Sequence, residues 1–123
     1  MKIEIIGTDA VPDALVVSGT ARIAWLSGVN AASDAGGAGD AEAQARATAD
    51  VLAARLEAAG AEWGHIVKII EYVNDLRVVP VLREALRARG GNTWNPARTL
   101  VQVDNLPVPG VRWELDVVLA LPV

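Results

Sequence analysis

The sequence predicts an α+β domain: a mixed β-sheet with two helices packed on one of its faces. Three observations point to it. Six short segments carry alternating or β-favoured residues, two windows repeat apolar residues at helical spacing, and short connections join them. Their order, β-β-β-α-β-α-β-β, lets both helices lie on one side of the sheet. With 123 residues and no internal repeat or linker, residues 1–123 read as one domain, long enough to bury a core.

Lys2 to Ile6 alternates polar and apolar residues and reads as the first strand. Gly7 to Asp13 carries Gly, Asp and Pro and reads as a turn. Leu15 to Ser18 is a short apolar strand, Gly19-Thr20 a turn, and Arg22 to Ser27 its hairpin partner, so the first three strands are expected to be antiparallel neighbours. Gly28 to Asp40 is a loop. Its Gly36-Gly37-Ala38-Gly39 run lacks the Lys-Ser/Thr ending of a P-loop and the spacing of a dinucleotide fingerprint, and reads as a flexible connection. Asp40 can cap a helix from Ala41 to Ala59. There Ala41, Ala45, Thr48, Leu52, Leu56 and Ala59 make one narrow face, small enough to lie close on a sheet, and Gly60 ends it.

His65 to Asn74 is expected to be the longest strand. Val67, Ile69 and Val73 share a face that Glu71 interrupts. A carboxylate in that place is either exposed at an edge or paired near a site. His65, the single histidine, has no Asp or Ser in motif spacing and reads as structural. Val78 to Arg89 forms the second helix, with Pro80 in its first turn and Val78, Val81, Leu82, Ala85 and Leu86 as its buried stripe. The last strand, Val111 to Leu121, sends Trp113, Leu115, Val117 and Leu119 toward the helices. Arg112, Glu114, Asp116 and Val118 take the other face.

The composition is 52% hydrophobic, an excess that an oligomer interface would absorb. The net charge is −4, with Lys and Arg scattered, so nothing forms an electrostatic footprint for nucleic acid or an anionic membrane. There is no Cys and one His, which argues against disulfides, thiol chemistry and a zinc site. The N-terminus is too short and too quickly acidic for a signal peptide, and no apolar run reaches the length of a membrane span. A soluble cytoplasmic protein is the expectation.

The stretch Asn95-Pro96-Ala97-Arg98-Thr99-Leu100-Val101-Gln102-Val103 carries the candidate chemistry. Pro96 fixes its own φ and biases Asn95 toward extended geometry. Arg98 then opens a strand on which it shares a face with Leu100 and Gln102. A guanidinium at the mouth of an apolar strand is either a surface arginine or an anion receptor, whose planar fork suits a carboxylate.

Pro96-Ala97-Arg98-Thr99, Leu106-Pro107 and Val111-Arg112-Trp113-Glu114-Leu115-Asp116 together resemble the C-terminal signature of the Rid family, also called the YjgF/YER057c/UK114 family. Leu26-Ser27-Gly28, the helix ending at Ala59-Gly60, and Val67 to Asp75 resemble further family segments in the same order, so the resemblance covers nearly the whole chain. It implies a chorismate mutase-like (YjgF-like) fold and a homotrimer with sites in the clefts between subunits. It also implies an enamine/imine deaminase, a hydrolase acting on C=N bonds that turns 2-imino acids into 2-oxo acids and ammonia without a cofactor. In that reading Arg98 grips the substrate carboxylate and Glu114, expected on the neighbouring strand, positions the attacking water. Ser27 either hydrogen-bonds substrate or simply ends a hairpin, and Trp94 supplies an apolar wall. An Arg98–Glu114 salt bridge is the plainer alternative for the pair.

Two positions depart from the family. Its early aromatic corresponds by count to Ala14, and the Gln that commonly follows Ser-Gly is Val29. Both changes predict a roomier, more apolar pocket near Ser27. A non-catalytic trimer that binds small carboxylates, as sensor or stabilising partner, is the competing reading. Endoribonuclease, a label the family sometimes carries, fits an acidic chain without a basic groove or His pair less well.

Overall fold

The computed structural model describes residues 1–9, 11–31, 40–92 and 94–123. In chain order it contains β1 (Lys2–Gly7), β2 (Pro12–Ser18), β3 (Ala21–Trp25), α1 (Ala41–Ala58), β4 (Ile66–Val73), α2 (Val79–Gly90), β5 (Ala97–Gln102) and β6 (Trp113–Pro122). The Gly36 to Gly39 run lies outside the described residues. The α+β class, the element order and the placement of both helices agree with the expectation.

The main sheet has four strands in the order β3-β6-β4-β5. β6 is antiparallel to both β3 and β4, whereas β4 and β5 are parallel and joined through α2. β6, not β4, is the longest described strand and lies inside the sheet. Its helix-facing row Trp113, Leu115, Val117 and Leu119 is fully buried, as the alternation predicts. The inner faces of β4 and β6 meet Leu52 and Leu56 of α1 and Leu82 and Leu86 of α2 in one core.

The pairing of the first three strands differs from the expected meander. β1 and β2 form their own two-stranded antiparallel sheet, and β3 leaves it to pair with β6, Trp25 opposite Val118 and Ala21 opposite Pro122. β6 offers a long apolar partner, and Arg22 adds two hydrogen bonds from its guanidinium to the Pro122 carbonyl, both at 3.3 Å. Gly19-Thr20 therefore redirects the chain between sheets instead of closing a hairpin.

α1 starts where Asp40 accepts a hydrogen bond from the Ala43 N–H at 2.8 Å, the cap its side chain predicts. Two buried polar residues tie this helix to β6. Thr48 Oγ1 accepts from Trp113 Nε1 at 2.8 Å, and Gln44 bridges the Gly110 carbonyl and the Arg112 N–H. His65 belongs to a short 3₁₀ turn, Trp63–His65, that precedes β4, where its Nδ1 accepts from the Glu62 N–H at 2.9 Å. A register shift between Ile66 and Lys68 then lets Ile66 join the buried face despite the odd spacing.

Candidate functional site

Register decides which functional side chains can meet. Arg98 lies opposite Ile69, which lies opposite Val117, and both partners are fully buried on the helix side. Glu114 lies opposite Tyr72, one residue out of phase, and so occupies the other face. β4 separates β5 from β6, so Glu114 is not on the strand neighbouring Arg98 as expected. Two strand spacings and three residues of rise put the two Cα atoms roughly 14 Å apart, on opposite sides of the sheet. One chain therefore makes no Arg98–Glu114 salt bridge and cannot present both groups to one small molecule.

Arg98 instead meets the carboxylate that the sequence marks as an oddity. Glu71 is fully buried on the helix side of β4, directly across from Leu115. Its carboxylate accepts two hydrogen bonds from Arg83 of α2, from Nη2 at 2.8 Å and Nε at 3.2 Å. Arg98 adds a longer contact from Nη1 at 3.5 Å. Buried desolvation of this kind is tolerable only for a paired charge, and two guanidiniums supply the pairing. The Glu71 hydrogen bonds raise Arg83 above the ordinary arginine value. Arg98 is lowered, chiefly by burial. Glu71 opposes that shift, and the nearby Arg83 and Arg87 cations add to it.

The guanidinium of Arg98 also lies over Trp94, its Cζ 5.0 Å from the ring centroid, within cation–π range. Trp94 is 6% exposed and packs at 5.0 Å and 60° on Trp63. Gly90, at the end of α2, makes room for both indoles. A Cβ there would fall 2.6 Å from Trp63 Cε3 and 2.7 Å from Trp94 Nε1.

Arg83, Arg98 and Trp94 line a cavity of about 520 Å³. Arg87, one turn from Arg83 on α2, lines it too, as do Asn92, Asn95, Val11 and Pro12. Neither Ser27, Ala14 nor Val29 lines it. The pocket beside Trp94 is cationic, and it is a different place from the apolar pocket expected near Ser27.

The second cluster is on the opposite face. The Glu114 carboxylate accepts from Asn30 Nδ2 at 3.0 Å. Gly28 lies so close that a Cβ would sit 2.7 Å from the carboxyl group. Ser27 is exposed next to it, and its carbonyl accepts from Arg55 Nη1 at 2.8 Å. Val29 is fully buried and exchanges both backbone hydrogen bonds with Leu115, at 2.9 Å each, so its side chain belongs to the core. The structure therefore gathers Arg98 with Trp94, and Ser27 with Glu114, in two separate places. Sequence reasoning missed Arg83 and Arg87, although their spacing of four on a helix put two cations on one face. Among the described residues no group of three or more His, Cys, Asp or Glu is placed to hold a metal ion. No helix is long and apolar enough to cross a membrane.

A family model described as endoribonuclease L-PSP matches residues 11–121. The fold is shared with YyfB, a Rid-family protein of unknown function from Yersinia pestis (20% identity, TM-score 0.79, covering 98% of this chain and 100% of that one). It is shared with TdcF of E. coli, solved with bound serine (24% identity, TM-score 0.70, covering 97% and 99%). RidA from the Antarctic bacterium Psychrobacter sp. is 28% identical with a TM-score of 0.67, covering 96% and 99%. No curated protein matches the chain. Both the matched span, residues 11–121, and the shared fold lead to one conclusion: the chain belongs to the endoribonuclease L-PSP family, the Rid (YjgF/YER057c/UK114) family that its sequence resembles.

Proposed function

We propose that the protein is an enamine/imine deaminase that releases ammonia from 2-imino acids and leaves 2-oxo acids. The observation that carries this reading is the arginine-lined cavity in which Arg98 is braced by Glu71 and by the face of Trp94. Such a guanidinium keeps free N–H donors in a fixed plane, the receptor a carboxylate needs. Glu114 is the second working group. Its carboxylate takes a proton from water as the water oxygen attacks C2. The C=N electrons move to nitrogen, which is protonated, and the carbinolamine then collapses to expel ammonia.

Because Arg98 and Glu114 face opposite sides of one sheet, the working site is assembled between copies, the cavity of one chain facing the Ser27–Glu114 cluster of another. A homotrimer provides this. Trp25, 72% exposed, and Ile23, 44% exposed, leave apolar surface on the β3 edge of the outer face, as a buried interface would use.

The test is ammonia and 2-oxo acid release from imines generated in the assay, alongside sedimentation at micromolar concentration. Wild type should hydrolyse the imines and sediment at three times the chain mass. Arg98→Ala should remain a trimer and lose about 2 kcal/mol of substrate binding, roughly 30-fold in kcat/KM. A folded monomer, or full activity in Arg98→Ala, removes the proposal. A second reading draws on the same geometry. A single chain completes a binding cavity without Glu114, which favours a non-catalytic carboxylate binder. Keto-acid binding without ammonia release selects it.

A further inference from the structure

We infer that the cavity takes a two-headed acid: a 2-imino or 2-oxo acid whose side chain ends in a second carboxylate. The inference rests on Arg98 as the receptor for the first carboxylate and adds Arg87, with the free edge of Arg83, as receptor for the second.

Charge and donor arithmetic carry it. Three guanidiniums line the cavity and one carboxylate, the buried Glu71, pairs with two of them, leaving a formal excess of two positive charges. Glu71 is fully buried and its visible contacts go to Arg83 and Arg98. Arg87 has no ion pair or side-chain hydrogen bond among the described residues, yet it stands one turn from Arg83 on the cavity wall. Its neighbour Arg89, by contrast, pairs with Asp50 at 3.2 Å. A monocarboxylate on Arg98 would neutralise half of the excess. A dicarboxylate would neutralise all of it, and a cavity of about 520 Å³ has room for a small di-acid such as one with a five-carbon chain. The lowering of Arg98 by burial and by its cationic neighbours points the same way, because an anion bound there relieves both effects. Asn92 and Asn95 add amide groups to the lining. An apolar side chain would meet these polar groups and leave Arg87 uncompensated.

The experiment is calorimetric titration of the protein at low salt with two probes of similar length, 2-oxoglutarate and 2-oxohexanoate. The first ends in a carboxylate and the second in an ethyl group. Wild type should bind 2-oxoglutarate at least tenfold more tightly, and Arg87→Ala should bring that ratio close to one. Arg87 is exposed, so this variant should fold, and circular dichroism checks that it does. If 2-oxohexanoate binds as well as 2-oxoglutarate, or if Arg87→Ala keeps the ratio, the two-headed substrate is wrong and the carboxylate receptor stands. If neither probe binds, the receptor at Arg98 falls and this inference falls with it.

Discussion

Replacing Glu71 by Gln should lower stability and raise anion affinity at the same time. The substitution keeps the shape and one acceptor, and it removes a fully buried negative charge that holds Arg83 at 2.8 and 3.2 Å and Arg98 at 3.5 Å. Breaking a buried pair by removing one partner costs about 3–5 kcal/mol. Here the Arg83 and Arg98 side chains remain 39% and 30% exposed, so water compensates part of the loss and about 2 kcal/mol is expected. With an unfolding entropy of about 2.1 cal/mol/K per residue over 123 residues, that corresponds to a fall in Tm of roughly 8 °C. The formal excess in the cavity rises at the same time from two charges to three. For a bound carboxylate roughly 6 Å away, removing one repulsive charge contributes about 0.7 kcal/mol even in water, so affinity should rise at least about threefold. Scanning calorimetry and titration with 2-oxoglutarate at low salt measure the two effects. If affinity falls together with Tm, Glu71 serves to hold Arg98 in place and not to set the charge of the cavity. An unchanged Tm would show that the pairing contributes nothing to the fold.

Two glycine substitutions test the two clusters separately. Gly90→Ala would ordinarily gain about 0.5–1 kcal/mol in a helix, but the new methyl group would lie within 2.7 Å of both indoles. It should instead cost about 1–2 kcal/mol and change the near-ultraviolet circular dichroism of the Trp63–Trp94 pair; a melt above wild type refutes that packing. Gly28→Ala puts a Cβ 2.7 Å from the mobile end of Glu114, so the carboxylate should swing away with a stability change under about 0.5 kcal/mol. Deaminase kcat should then fall by about tenfold or more. An unchanged kcat would mean that Glu114 does not position the water.

The fold was legible where side-chain period and turn chemistry act locally. Asp40 announces α1 because its oxygen can reach only the next turn's N–H groups. The alternation from Trp113 to Leu119 announces a strand buried on one face. Strand pairing is a competition between distant segments, and it defeated local reading. Nothing near Gly19-Thr20 says that β6, about a hundred residues away, outbids β2 for β3. The site was half legible for the same reason. Arg98 and Glu114 stand out as residues, but β4 lies between their strands and the register across the three strands puts them on opposite faces, and both depend on the whole sheet. Glu71 was visible as an anomaly without a partner. Its partner, Arg83, sits on a helix face that periodicity assigns to solvent, and only the docking of α2 across β4 brings the two together.

Net charge is a poor guide to what this molecule attracts. The chain carries 15 acidic residues against 11 Lys and Arg, yet the surplus is unevenly placed. Arg77 pairs with Asp75 and Arg89 with Asp50 on the surface, and Lys2 lies 3.3 Å from Glu4. Arg83, Arg87 and Arg98 line one cavity, and the buried Glu71 carboxylate pairs with two of them. At physiological ionic strength the Debye length is about 8 Å. A small anion inside the cavity therefore feels these guanidiniums more than the remote acids. For the small di-acid proposed above, the deciding quantity is where the arginines sit rather than how many there are.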